Sequence, residues 1–157
     1  MKKLIFALIL FMLSLSTAHL VTAQKNAGGS SIQRNALLES ATGLMAYSMF
    51  NTNNYLMELY TGNLMKKNEL FNKAVDQENT LKFLIDQVDR VLNADISDLK
   101  KVEVRYFKDL KKTLVVLQKQ AISLKEHING NSGAKARFDT FKDLGWKQVT
   151  NVMSKQS

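Results

Sequence analysis

From Leu37 to Val152 the apolar residues recur at steps of three and four, and no proline interrupts the chain anywhere in its 157 residues. That pairing leaves little choice of regular structure. A 3.6-residue period buries one side of a helix, whereas an exposed strand alternates apolar and polar residues, and no stretch beyond the N-terminal segment does so. The spacing predicts a first helix over roughly Ile32 to Lys66, with a seam of Leu37, Ala41, Leu44, Ser48, Asn51, Tyr55, Leu59 and Gly62. A second stripe of Leu38, Met45, Met49, Thr52, Leu56 and Asn63 runs beside it. The run Asn51-Thr52-Asn53-Asn54 is a weak helix former, but the phase survives across it, so one helix with a soft spot is expected.

A second helix is expected over roughly Glu69 to Asn93, burying Phe71, Ala74, Val75, Leu81, Leu84, Ile85, Val88 and Leu92. Asp95 and Ser97 are suited to cap a third, with Asp98 favouring its positive end. Its stripe is Leu99, Val102, Tyr106, Leu110, Leu114, Leu117, Ala121, Leu124 and Ile128. The run Asn129 to Gly133 is the clearest turn in the chain, with glycine suited to the left-handed conformation that ends a helix. The last helix, roughly Ala134 to Ser154, offers Phe138, Phe141, Leu144, Trp146, Val149 and Val152. Gly145 either weakens it or lets a neighbour come close. Short connections make consecutive helices antiparallel, so the expected fold is all-α: an elongated, coiled-coil-like up-down four-helix bundle. A helix of about 33 residues is roughly 50 Å long.

The first residues have another purpose. Lys2 and Lys3 precede an unbroken apolar run, Leu4 to Leu13, followed by Ser14, Ser16 and Thr17 and then by Val21-Thr22-Ala23. Positive start, apolar middle and small residues at the cut are the parts of a cleavable secretory signal. Residues 1–23 are therefore expected to be removed, leaving a flexible leader over 24–31 and a helical domain over 32–157. The apolar run is shorter than the about 20 residues that cross a bilayer, so no transmembrane span is expected after cleavage. The protein is expected to be exported, either periplasmic or secreted. Cysteine is absent, so neither a lipid anchor nor a disulfide is available, and the core must suffice alone.

Residue inventory closes many chemistries. Without cysteine there is no thiolate zinc site and no covalent haem. A di-iron bundle needs Glu-x-x-His repeats, but none occurs, and the first helix has only Glu39 and Glu58. His127, the one histidine beyond the signal, sits beside the Asn129-Gly130 turn with no nucleophile elbow or phosphate-cradling glycine loop elsewhere. Its plain reading is a partly exposed residue favouring the negative end of its helix. Non-covalent haem on His127 and a methionine stays open and would give visible absorption. A carboxylate-only glycosidase also stays open by inventory, but an elongated bundle offers no evident cleft. The expectation is a protein that is not an enzyme and needs no cofactor or metal.

Two features stand out. Between Asn35 and Met65 only Glu39 and Glu58 are charged. A helix so poor in charge is either buried on most sides or presents a contact surface. Met45, Met49, Tyr55, Met57 and Tyr60 are the candidate interface, since methionine and tyrosine suit adaptable contacts. Charge placed at Met49 or Met57 is expected to break assembly, and loss of folding instead would mark them as core.

The second feature is a basic stripe on one side of the third helix: Lys101, Arg105, Lys108, Lys112 and Lys119, flanked by Lys100 and Lys111. Signal removal takes two of the 22 basic residues and none of the 14 acidic ones, so the remainder stays cationic and suits an anionic envelope surface. Its plain reading is a solvated face. Nucleic acid is disfavoured, because no aromatic residues interleave with the stripe. The sequence thus points to an exported, non-enzymatic protein of the bacterial envelope that self-associates or docks a protein partner through its first helix. Two other readings remain: an accessory subunit of a secretion or conjugation apparatus, resembling a minor pilus component, and a periplasmic holdase chaperone.

Overall fold

The computed structural model describes residues 30–93 and 101–154. The signal, residues 24–29 of the leader, and the Asp95–Leu99 cap region lie outside the described residues. The chain divides into two units after Leu38, and the packing below is that of Glu39–Ser157. Four α-helices are described and no strand: α1 Ser30–Thr61, α2 Lys67–Asn93, α3 Lys101–Ile128 and α4 Ala134–Ser154. They form a helical bundle.

Partner order gives the helix directions. Thr42 meets Tyr106, Asn53 meets Leu117 and Gln120, and Tyr60 meets His127, so α1 and α3 advance together. Asp89 pairs with Lys111 and the earlier Glu78 with the later Lys125, so α2 runs against α3. Arg137 pairs with Glu126 while Gly145 lies against Leu117, so α4 runs against α3 as well.

Two turns close one end in the same way. After α1, the Leu64 N–H donates to the Leu59 carbonyl and that of Asn63 to Tyr60, with Asn63 in the left-handed region at φ 52°. After α3, Asn131 donates to Glu126 and Gly130 to His127, with Gly130 at φ 94°. This pattern satisfies carbonyls that a helix end would leave bare. It also ends α1 at Thr61, short of the Lys66 expected from spacing. The signal was present in Gly62-Asn63, since asparagine and glycine are the residues that tolerate this conformation.

The expected stripe of α3 is buried from Tyr106 through Ile128. Val102 is the correction: it is 73% exposed, one turn ahead of the first buried layer. In α4, Phe138, Gly145, Val149 and Val152 are buried, whereas Leu144 and Trp146 are exposed. These two flank Gly145 in sequence, so each is turned about 100° around the helix from that inward position. Gly145 serves close approach: a Cβ there would lie 3.1 Å from Leu117 Cδ2 and 3.5 Å from Phe50 Cδ2.

The larger correction concerns α1. Its buried line is Gly43, Ala46, Phe50, Asn53 and Met57, and of the expected seam Ala41, Leu44, Ser48, Asn51 and Tyr55 face out while Leu59 is buried, as is Leu56 of the second stripe. Both lines keep three-four spacing and lie two residues apart, which turns a helix by about 200°. Apolarity could not choose between them, because the inner line includes Asn53 and Gly43 and the outer one Leu44 and Tyr55.

Asn53 also explains the soft spot. The helix runs unbroken through Asn51–Asn54, and Asn53, fully buried, donates through Nδ2 to the Leu117 carbonyl at 2.9 Å and to Gln120 Oε1 at 3.1 Å. Gln120 in turn donates to Asn54 Oδ1 at 3.0 Å, and buried Gln77 donates to the Met49 carbonyl at 3.0 Å. Asn53, Gln77 and Gln120 thus come from three helices at one level. On one side of that level lies a cluster with Ala46, Phe50, Leu81, Val88, Leu110, Leu114 and Val149. On the other lies one with Leu56, Met57, Leu70, Ala74, Leu124, Ile128 and Phe138. The core is two apolar compartments with a polar layer between them. Each fully buried leucine contributes roughly 1.5–3 kcal/mol.

Candidate functional site

The outward side of α1 is where the chain shows apolar surface without charge. Ala41, Leu44, Ser48, Asn51, Tyr55 and Glu58 are exposed at steps of three, four, three, four and three. Leu44 is 58% and Tyr55 59% exposed, and Glu58, at the end, is the one acidic or basic residue among the six. Tyr47, Ser48, Asn51, Thr52 and Tyr55 line a shallow open trough. Beside it stands Trp146 of α4, 50% exposed, with its ring centroid 6.4 Å from Tyr47 and 5.6 Å from Phe50. Buried Phe50 therefore braces an exposed tryptophan at the margin of the stripe.

The five residues singled out from sequence divide on this surface. Tyr55 lies on the open face and Met45 is half-buried at its margin. Met49 is half-buried against the first cluster, where Gln77 Nε2 reaches both its carbonyl and its Sδ. Tyr60 packs against the second cluster and meets the His127 ring edge-on at 5.2 Å. Met57 is 6% exposed inside that cluster, so it is a core residue and not part of a contact face. The same two-residue phase shift accounts for this: Met57 continues the inner line. Leu44, Tyr47, Ser48, Asn51 and Trp146 are the face residues not singled out from sequence as contacts. Their signal was the three-four spacing itself, which fits either side of the helix.

Lys101, Arg105, Lys108, Lys112 and Lys119 of the basic stripe are all exposed on one side of α3. Lys112 Nζ is 3.6 Å from Asp109, its neighbour one turn back, and Lys119 Nζ stands 5.9 Å from the centroid of the Phe141 ring. The flanking Lys111 belongs to the packing, 2.5 Å from Asp89 of α2, as does Lys125 with Glu78. Exposed pairs of this kind contribute little, about 0–1 kcal/mol each.

Among the described residues no group of three His, Asp or Glu is placed to hold a metal ion, and no helix is long and apolar enough to cross a membrane. Comparison with protein-family profiles, characterised proteins and solved structures finds no match. The surface offers a helical ridge with aromatic and leucine side chains and no charge from Ala41 to Tyr55, and a separate row of cations.

Proposed function

We propose that this is an exported, non-enzymatic helical-bundle protein of the bacterial envelope, periplasmic or secreted, acting by protein–protein contact through the outer face of α1. The observation that carries the reading is the exposure of Leu44 and Tyr55 on a three-four stripe that bears no charge from Ala41 to Tyr55. Scattered exposed apolar residues are ordinary, but a continuous charge-free ridge is the kind of surface a partner covers. Three-four spacing is also the spacing by which helices pair in coiled coils. Export rests on the residues 1–23 themselves: the lysine pair, the apolar run and the small residues before Gln24.

A photo-crosslinking amino acid placed in turn at Leu44, Tyr55 and, for comparison, Asn79 on the exposed side of α2 tests this in the cell. Adducts concentrated at Leu44 and Tyr55 support docking through α1. Their absence there, or equal adducts at Asn79, would overturn it.

The row of five exposed cations favours a second contact, with an anionic envelope surface. It predicts sedimentation with vesicles containing an acidic phospholipid and not with neutral ones, weakening as salt rises.

A further inference from the structure

We infer that the occupant of the α1 ridge is a second copy of this chain, its α1 running antiparallel to the first. This rests on the docking reading above and names its partner. The first argument is charge. The chain is strongly basic, with 22 Lys and Arg against 14 Asp and Glu, so two copies repel unless they meet where neither presents Lys or Arg, and the six ridge positions hold none. The positions flanking the ridge, Met45, Tyr47, Thr52 and Asn54, are uncharged too. On α2 and α4, by contrast, the exposed residues include Lys82, Asp86 and Arg90, and Arg137, Asp139, Lys142 and Asp143.

The second argument is register. A two-fold axis between Met49 and Phe50 sets Ser48 opposite Asn51, Leu44 opposite Tyr55 and Ala41 opposite Glu58. Every layer then joins one position of each kind in the three-four repeat, as antiparallel helix pairs require. The ridge is self-complementary, as an isologous interface must be. Its centre holds two Ser–Asn pairs that can hydrogen-bond, and a polar residue in such a seam is known to specify register. A parallel pair would instead set Glu58 against Glu58 and stack each residue on its own copy.

The absence of cysteine makes the arrangement readable. The full chain, produced with its own leader and purified as the cell delivers it, is expected to show twice the chain mass by light scattering. Leu44→Lys or Tyr55→Lys should weaken the dimer at least tenfold, with circular dichroism unchanged because both side chains are exposed. Ala41 and Glu58 lie about 26 Å apart along the helix, far beyond the roughly 7 Å that a disulfide spans between Cα atoms. Antiparallel pairing therefore predicts that Ala41→Cys protein mixed with Glu58→Cys protein forms the mixed disulfide dimer. Neither variant alone should crosslink. Self-crosslinking of Ala41→Cys without the mixed product would overturn the antiparallel pair, and a monomer at all concentrations would overturn self-association. The docking reading is judged separately by the adduct at Tyr55: a mass other than twice the chain keeps docking and removes the second copy, and no adduct removes both.

Discussion

Asn53 shows how much one buried amide decides. Its Nδ2 serves two acceptors on α3, while its Oδ1 is buried without a hydrogen-bond partner. Asn53→Ala should cost about 2 kcal/mol, because it leaves Gln120 Oε1 without that donor. Asn53→Asp is nearly the same size yet should cost more, about 3 kcal/mol or above, since it sets a buried charge against two acceptors. Urea denaturation of the two variants checks the order. Met57 is the neighbouring test: Met57→Ala should lose about 2–4 kcal/mol by opening a cavity, and Met57→Lys should unfold the domain. Retained folding with lost assembly would return Met57 to the surface. Residues of this kind were not legible in sequence. An asparagine in a weak helix-forming run reads as exposed, and only the carbonyl of Leu117 and the amide of Gln120, more than sixty positions away, make its burial tolerable.

At the scale of elements, the helices were legible and their ends and faces less so. α4 matches the expected bounds, and α2 and α3 show their stripes, because each has one clearly apolar side. On α1 both sides carry apolar residues, so periodicity could locate the helix and not its inward direction. That direction is set by partners: small Gly43 and Ala46 face inward, and Phe50 packs beside Gly145 and Leu117. The two matched turns give a paired prediction. Gly130→Ala should destabilise by about 1 kcal/mol, since a Cβ meets no neighbour there but the positive φ strains it. Asn63→Gly at the equivalent position should stabilise by several tenths of a kcal/mol. Thermal unfolding read by circular dichroism separates the two. Gly145→Ala is different in kind: the helix-propensity gain of about 1 kcal/mol meets crowding against buried Leu117, and a net loss of about 1 kcal/mol is expected.

For the whole molecule, surface chemistry is divided between helices: an uncharged ridge on α1 and a cationic row on α3. Their salt responses should therefore be opposite. Association through α1 buries no ion pair, so screening the repulsion between two basic copies should tighten it as salt rises, whereas binding through α3 should loosen. Sedimentation at about 50 and 500 mM salt distinguishes them; an assembly that falls apart at high salt would point away from α1. The polar layer has a consequence of its own, for how the bundle breathes. Each apolar compartment draws on all four helices, and little oily contact bridges the level of Asn53, Gln77 and Gln120. Opening that begins at one end can stop there, as a separate cooperative unit. Amide hydrogen exchange would then sort each long helix into two blocks with their own protection, one around Leu114 and one around Leu124 on α3. Replacing the three amides with leucines would fuse the blocks, and the bundle would open as one piece or not at all.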